Sequence, residues 1–223
     1  VQLHQPADLD HAENARERLT FDEAFLLQSL LVLRRIELKK LNSTSRKAAA
    51  GGLLDAFDQK LPFELTAGQK AVCKEIESDL AQPHPMHRLL QGEVGSGKTI
   101  VALRAMLAVV DSGGQAALLA PTEVLAAQHL RTIQKLLGDL AQGGMLGGSE
   151  VATQVTLITG SQNAAARKEA LSLAANGDAG IVIGTHALLG EKVAFKDLGL
   201  IVVDEQHRFG VEQRDALKEK AVL

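Results

Sequence analysis

The sequence predicts an α/β fold in which a mostly parallel sheet is flanked by helices and preceded by a helical connector. Four short runs are nearly continuous in apolar character, without polar–apolar alternation: residues 116–120, 155–159, 179–184 and 198–204. Such runs are typical of strands that are buried on both faces of a parallel sheet. Helical stretches at 123–137 and 164–175 separate the runs, as an α/β fold requires.

The segment that precedes the sheet is expected to be largely helical. Residues 20–41 carry apolar side chains on nearly all sides, which predicts a helix buried on more than one face. Thr20 and Glu23 have the spacing of a capping box, which places the start of this helix at Thr20. Residues 42–52 predict a loose linker, and a new unit is expected to begin near Leu61.

A division into a connector, residues 1–60, and a main domain, residues 61–223, suits the composition. The 223 residues are 46% apolar, which is enough to bury a substantial core. The single cysteine, Cys73, excludes an internal disulfide and fits a reducing compartment. No apolar run approaches the roughly 20 residues of a membrane span. The formal net charge of -3 excludes a globally basic nucleic-acid surface. Residues 138–150 are rich in glycine and predict a mobile loop.

A glycine-rich turn at residues 92–99 has the sequence GEVGSGKT, which fits the phosphate-loop pattern G-x-x-x-x-G-K-[ST]. It follows a predicted strand at 88–91 and opens a predicted helix at 99–110, which is the context that this motif requires. Glycines let backbone N–H groups face a phosphate, a lysine neutralises the β- and γ-phosphates, and a threonine hydroxyl helps to hold Mg²⁺. The predicted nucleotide-binding residues are Gly92, Gly95, Ser96, Gly97, Lys98 and Thr99. The motif predicts a nucleoside triphosphate site without specifying the reaction.

An acidic pair, Asp204 and Glu205, follows the last apolar run. An aspartate at the end of a buried strand can hold Mg²⁺, and a neighbouring glutamate can orient and deprotonate water. This pattern favours hydrolysis of the nucleotide over transfer of a phosphoryl group. The alternative is a solvated acidic pair at a strand end.

The segment 61–69 carries two further candidates. Gln69 lies three residues after Thr66, so its side chain can complete a helix capping box. A glutamine amide can also pair with the edge of an adenine, and both roles can hold together. Phe63 is either a core residue or a platform for the adenine ring.

Four segments taken together resemble the superfamily 2 helicases, and among them the bacterial branch-migration helicases: QGEVGSGKT at 91–99, APTEVLAAQH at 120–129, IVIGTHALL at 181–189 and DEQHRFG at 204–210. The resemblance implies that residues 61–223 form the first of two RecA-like P-loop NTPase domains, with ATP and Mg²⁺ as cofactors. It implies branched duplex DNA, such as forks and Holliday junctions, as the partner. It also implies a protein of DNA repair and recombination in the bacterial cytoplasm, associated with the nucleoid.

The nearest alternative family is that of the transcription-repair coupling factors, which share an HRFG segment after the acidic pair. Those proteins tend to have glutamate where Gln206 stands, an aromatic residue where Ser96 stands and threonine where Glu123 stands. All three differences favour the branch-migration helicases.

The resemblance also implies roles for individual residues. It assigns adenine recognition to Gln69, catalysis to Lys98 and Glu205, and metal binding to Thr99 and Asp204. It places three segments along a DNA strand, namely Pro121, Thr122 and Glu123, then Thr159 and Gly160, then Thr185 and His186. Small hydroxyl residues and backbone amides at strand ends suit phosphate contacts, although each of them can equally be a strand-to-helix cap. His207 and Arg208 are expected to couple hydrolysis to movement, or else to form an ordinary surface pair.

The resemblance falls short in extent. The related helicases need a second RecA-like domain, which supplies an arginine finger, and a wedge domain that splits the fork; neither lies in these 223 residues. An arginine finger raises the hydrolysis rate by about 10³ to 10⁵ in other phosphate-loop NTPases. We therefore expect weak turnover from this chain alone. A nucleotide-gated binding module without productive hydrolysis remains the alternative from another functional class.

Overall fold

The computed structural model describes residues 8–143 and 151–210. Its contacts divide the chain into two units, Val1–Ser43 and Thr44–Leu223. The first unit is dominated by one helix, α1 (Leu9–Lys39), which begins where the side chain of Asp8 accepts a hydrogen bond from the backbone N–H of His11.

Helix α1 corrects one prediction about the connector. Thr20 lies inside the helix, and its hydroxyl donates to the backbone carbonyl of Arg16 at 3.0 Å, so it caps nothing. The helix begins at Leu9 because Asp8 supplies the cap and the intervening residues favour helix. The side chains of α1 are mostly exposed, with Phe25 at 63%, so the predicted burial of this helix stays a prediction.

Within the described residues, the second unit contains the remaining helices and all the strands. Its helices are α2 (Leu53–Lys60), α3 (Ala67–Leu80), α4 (Lys98–Asp111), α5 (Glu123–Leu137) and α6 (Ala164–Asn176), and its strands are β1 (Gln115–Leu119), β2 (Gln154–Ile158), β3 (Ala179–Gly184) and β4 (Leu198–Val203). Short 3₁₀ helices lie at Gly138–Ala141, His186–Leu189 and Gln206–Arg208. Among the described residues, no helix is both long and apolar enough to cross a membrane.

The four strands form one parallel sheet in the order β2-β3-β1-β4, which confirms the predicted fold class. The ends of the strands are in register. Gly184 at the end of β3 pairs with Ile158 of β2 and with Leu119 of β1, and Leu119 pairs with Val203 of β4. All four carboxyl ends therefore meet at one edge, where parallel α/β sheets bind their ligands.

Alternate residues of the strands serve the two faces of the sheet. On one face, Leu118 and Ile183 pack with α2, α4 and α5. On the other face, Leu119 and Val182 pack with α6. The sheet is thus covered by helices on both faces, which explains the nearly continuous apolar strands.

The packing boundary of the second unit lies earlier than the predicted division at residue 61. Leu53, Leu54 and Phe57 of α2 are buried in the main core. The carboxylate of Asp111 accepts from the backbone N–H groups of Leu53 and Leu54 at 2.6 and 3.0 Å, which fixes the start of α2. Helix α2 therefore belongs to the main domain.

The segment 42–52 is not the loose linker that its composition predicts. Arg46 is only 6% exposed and makes two hydrogen bonds to the carboxylate of Asp197, just before β4. Arg46 at the same time donates its backbone N–H to the carbonyl of Leu80. These long-range bonds tie the segment to the sheet and to α3.

Two other sequence predictions need correction or restriction. Residues 88–91 form no strand. Leu89 is 74% exposed, whereas Leu90 packs against a buried cluster that includes Ile76. The predicted loop at 138–150 begins with a 3₁₀ helix, Gly138–Ala141, in which Leu140 is buried. The rest of that loop, 144–150, lies outside the described residues.

Candidate functional site

The phosphate loop owes its shape to two glycines with left-handed backbone conformations. Gly95 has φ 83° and Gly97 has φ 81°, values that residues with a side chain rarely adopt. Gly97 is also the residue that caps α4, so the loop leads directly into the N-terminus of that helix. Residues 92–96 are exposed, which leaves this helix end open to an anion.

Lys98 rests on the loop that it closes. Its ammonium donates to the backbone carbonyls of Gly92 and Glu93, each at 2.8 Å. A bound phosphate offers the same ammonium charged oxygens, and hydrogen bonds between two charged groups are the stronger kind. The observed position is therefore a resting contact that a nucleotide can replace.

Gln69 performs the capping role that its spacing predicts, and it also contacts the loop. Its side-chain oxygen accepts from the backbone N–H of Thr66, while the Thr66 hydroxyl accepts from the Gln69 N–H, which completes the capping box of α3. The Gln69 side-chain nitrogen donates to the carbonyl of Ser96 at 2.9 Å. One amide thus anchors the phosphate loop to α3. Adenine recognition by Gln69 stays a prediction.

Phe63 is not a core residue, because its side chain is 48% exposed. It lines an open cleft of about 510 Å³ whose other walls are formed by Asp58, Leu61, Pro62, Glu64, Leu65, Lys70 and Arg104. The exposure excludes the core interpretation, and the role of Phe63 as an adenine platform stays a prediction.

Asp204 follows β4 and is held by a residue that the sequence reasoning missed. Its side-chain oxygen Oδ2 lies 2.8 Å from Nε2 of His129, which projects from α5. The Asp204 backbone N–H donates to the carbonyl of Leu119 at the end of β1. His129 was visible in the sequence as the last residue of APTEVLAAQH, but nothing in its spacing along the chain linked it to Asp204.

Glu205 adopts the left-handed conformation, with φ 51°, as the only described non-glycine residue with a positive φ. Its carboxylate lies 3.4 Å from Nε2 of His207, and its backbone carbonyl accepts from the N–H of Arg208. Such a conformation costs about 1–3 kcal/mol outside glycine and is frequent at functional sites. His207 and Arg208 are exposed, and Phe209 behind them is buried, so the turn is anchored while its polar residues face outward.

The three segments that are predicted to follow a DNA strand lie together at the carboxyl edge of the sheet, after β1, β2 and β3. The carboxylate of Glu123 joins the first two: Oε1 accepts from the backbone N–H groups of Gly160 and Ser161 at 2.8 and 3.0 Å, and Oε2 accepts from the Ser161 hydroxyl. The Ser161 hydroxyl is the main reason that the pKa of Glu123 lies below its ordinary value; the two amides and the nearby charge of His186 act in the same direction. Pro121 immediately precedes this arrangement.

Three predicted contact residues use their polar groups in local structure. Thr122 caps α5, where its hydroxyl accepts from the N–H of Leu125. Thr185 is 1% exposed and caps the following 3₁₀ helix through the N–H of Ala187. Thr159 is 3% exposed, and its backbone N–H donates to the side chain of Gln162. The capping interpretation therefore holds for Thr122 and Thr185, whereas Thr159 is buried without capping a helix. Contact of these residues with DNA stays a prediction.

The donor set fits Mg²⁺ that arrives with a nucleotide. Across residues 8–143 and 151–210, no cluster of three or more His, Cys, Asp or Glu side chains can hold a metal ion alone. Mg²⁺ typically uses one or two protein oxygens, water and substrate phosphates. Thr99 in the first turn of α4 and Asp204 after β4 supply oxygens of that kind. Within the described residues, no hydrogen bond or ion pair joins the phosphate loop to the Asp204–Glu205 pair.

Comparison with known proteins gives a consistent result. The chain matches the family described as DEAD/DEAH box helicase over residues 66–222. It is 59% identical over 219 residues to the ATP-dependent DNA helicase RecG of Mycobacterium bovis and 45% identical over 220 residues to that of Synechocystis. The fold is similar to a solved structure described as RecG bound to three-way DNA junction, with a TM-score of 0.78 and 39% identity.

Coverage in these matches is uneven. The match to the Mycobacterium bovis protein covers 98% of this chain but 30% of that protein. The match to the Synechocystis protein covers 99% of this chain and 25% of that protein. The match to the solved structure covers 94% of this chain and 27% of the other chain. The chain thus spans about a quarter to a third of the length of the proteins it resembles.

Proposed function

The chain belongs to the DEAD/DEAH box helicase family, and on that premise we propose that it is the ATP-binding motor domain of a DNA helicase of the RecG kind. Such a motor drives branch migration and remodels stalled forks in repair and recombination. Its substrate is branched duplex DNA, its cofactors are ATP and Mg²⁺, and it acts in the bacterial cytoplasm at the nucleoid.

One observation carries this proposal: the carboxyl ends of four parallel strands lie in register at one edge of the sheet. One end presents the acidic pair Asp204–Glu205, and the other three present the segments with exposed amides and polar side chains. Helix α5 links the proposed nucleotide site to the proposed DNA surface, because Glu123 at its start contacts Gly160 and His129 further along contacts Asp204.

The residues divide the work as follows. The amides of the phosphate loop and the ammonium of Lys98 bind the phosphates, while Thr99 and Asp204 hold Mg²⁺, which neutralises phosphate charge when bound. Glu205 orients the attacking water and accepts its proton. Gln69 and Phe63 take the adenine. Gly160 and His186 face the DNA backbone, and His207 and Arg208 transmit hydrolysis to a second RecA-like domain.

Further domains belong to this proposal, because the chain covers 30% of its Mycobacterium bovis relative. A second RecA-like domain supplies the arginine finger, and a wedge domain separates the strands of the fork. An isolated first motor domain lacks both, so we expect it to bind nucleotide and to hydrolyse it slowly.

The test measures ATP binding and turnover by this chain, with and without forked DNA, beside Lys98→Ala. Lys135→Ala is the matched control, since Lys135 is an exposed lysine on α5 away from the loop. We expect Lys98→Ala to weaken nucleotide binding by about 10- to 100-fold, the effect of a lost charge-assisted contact, and Lys135→Ala to leave it unchanged.

Turnover should stay low in all cases until a second motor domain is added. Nucleotide binding that survives Lys98→Ala intact would refute the assignment of the phosphate loop. Strong fork-stimulated turnover by the chain alone would refute the need for a second domain.

A further inference from the structure

Glu123 occupies a ready-made anion site with its own carboxylate. Its two oxygens accept three hydrogen bonds, from the N–H of Gly160, the N–H of Ser161 and the hydroxyl of Ser161. Two adjacent backbone amides and a hydroxyl that converge on one anion are the donor set that proteins also use for phosphate groups. The carboxylate therefore takes the place that a phosphate oxygen fits.

This donor set belongs to an exposed surface. Gly160 and Ser161 are both exposed, and they follow β2 at the carboxyl edge of the sheet. A Cβ added to Gly160 would lie 3.2 Å from Glu123 Oε1, so the side chain approaches this backbone closely. Because the Glu123 carboxylate already accepts from both N–H groups, a phosphate can bind them only by displacing it.

The loop around Gly160 keeps its shape through other bonds. The backbone N–H of Thr159 donates to the side chain of Gln162, and the Thr159 carbonyl accepts from the guanidinium of Arg167. Asn163 then caps α6 through the N–H of Ala166. Because these contacts fix both sides of Gly160, Glu123 is not required to hold the donors in position.

We propose that Glu123 is an internal substitute for a DNA phosphate, which must leave the Gly160–Ser161 donors before a DNA strand can occupy them. The proposal rests on the proposed function, and it replaces the predicted direct contact between Glu123 and DNA. A carboxylate cannot donate a hydrogen bond to a phosphate and repels it, so Glu123 lowers the affinity for DNA. Glu123 thereby limits the affinity of the motor domain for the DNA backbone.

The first test compares DNA binding by wild type, Glu123→Gln and Glu169→Gln. Glu169→Gln is the control for net charge, because Glu169 is an exposed acidic residue on α6 outside the donor set. Binding to a short forked oligonucleotide is measured by fluorescence anisotropy at one fixed salt concentration. We expect Glu123→Gln to bind about 5- to 10-fold tighter, which is the effect of one competing hydrogen-bonded charge. Glu169→Gln should stay close to wild type.

The second test needs no variant. Nuclear magnetic resonance of the wild-type protein follows the backbone amides of Gly160 and Ser161 and the side-chain carboxyl carbon of Glu123 during a titration with the same oligonucleotide. We expect all three resonances to move together with saturation, and the Glu123 carboxyl to reach the shift of a solvated glutamate.

The outcomes separate this proposal from the proposed function. Oligonucleotide binding with an unmoved Glu123 carboxyl, or weaker binding by Glu123→Gln, overturns the phosphate substitute and leaves the DNA motor standing. Absence of DNA binding by wild type and both variants, with nucleotide binding intact, overturns both.

Discussion

The phosphate loop and the Gly160–Ser161 loop are the two segments that we propose to bind phosphate, and in both a polar group of the segment contacts another group of this chain. In the first, a cation, Lys98, rests on two neutral carbonyls. In the second, two amides and a hydroxyl are occupied by an anion, Glu123. The difference lies in the sign of the charge that the incoming ligand meets.

This difference predicts opposite behaviour towards phosphate. A nucleotide that reaches Lys98 replaces weaker neutral acceptors with charged ones, so the resting contact hardly opposes binding. A phosphate that reaches Gly160 must displace a carboxylate of its own charge. Removing the occupying group should therefore impair binding at the first loop and improve it at the second.

Outside these two loops, the largest effect is expected at a third charged group, Asp204, whose partner is the imidazole of His129. Nε2 of His129 lies 2.8 Å from Oδ2 of Asp204, and the other oxygen is left for the Mg²⁺ that we propose. Loss of such a supporting contact typically lowers metal affinity 10- to 100-fold. We expect His129→Ala to raise the Mg²⁺ concentration for half-maximal binding of a fluorescent ATP analogue by about 10-fold.

His129→Gln is the matched variant, because its amide can still donate to Asp204. It should restore much of the Mg²⁺ dependence if His129 acts by orienting the carboxylate. Equal losses in both variants, or a loss of nucleotide binding that excess Mg²⁺ does not repair, would show that His129 matters to the fold and not to the metal.

Substitution of Gln69 is expected to have a smaller effect, on folding free energy and on the preference for ATP over GTP. Gln69 closes the capping box of α3 and donates to Ser96, whereas Thr66 takes part in the cap alone. Thr66→Ala should cost about 1 kcal/mol of folding free energy, the usual value for a lost N-cap, and leave the preference for ATP over GTP unchanged. Gln69→Ala should lose similar stability and also that preference.

Thermal unfolding and competition binding with GTP measure the two quantities separately. If both variants kept the same preference for ATP, Gln69 would be a structural residue that caps the helix and anchors the loop. If Thr66→Ala also lost the preference, the orientation of α3 would decide nucleotide choice.

The fold class followed from local sequence, whereas the contacts between distant side chains did not. Nearly continuous apolar runs predicted all four strands, because a parallel sheet buries both faces. The segment 88–91 has similar leucines but forms no strand, since Leu89 stays exposed and strand pairing depends on neighbours far along the chain. Spacing in the sequence likewise predicted the capping role of Gln69, and the last apolar run placed Asp204 at a strand end, but neither pattern indicated the contact between His129 and Asp204.

Two further features show what local patterns could not predict. Thr20 and Glu23 satisfy a capping pattern, yet Asp8 starts the helix earlier, and a local pattern cannot tell which of two possible caps is used. Glu123 was assigned to the DNA surface by its place in a motif. Only the folded chain reveals that its carboxylate faces the amides of Gly160 and Ser161, 37 and 38 residues away.

The smallest expected effect is a change with pH in the stability that the charge of Glu123 contributes to the fold. The pKa of Glu123 lies below its ordinary value in the folded chain, chiefly because the Ser161 hydroxyl donates to it. A depressed pKa means that the contact stabilises the fold above the unfolded pKa and that this contribution is lost as pH falls through the folded pKa. Wild type should therefore have a slightly higher melting temperature than Glu123→Gln near neutral pH, and this difference should disappear in acid.

The carbonyls that hold Lys98 carry no proton to titrate, so the difference in melting temperature between wild type and Lys98→Ala should not close in acid in this way. Melting curves of the three proteins from neutral to acid pH decide the matter, and a gap that persists in acid would mean that Glu123 stabilises the loop by packing and not as an anion.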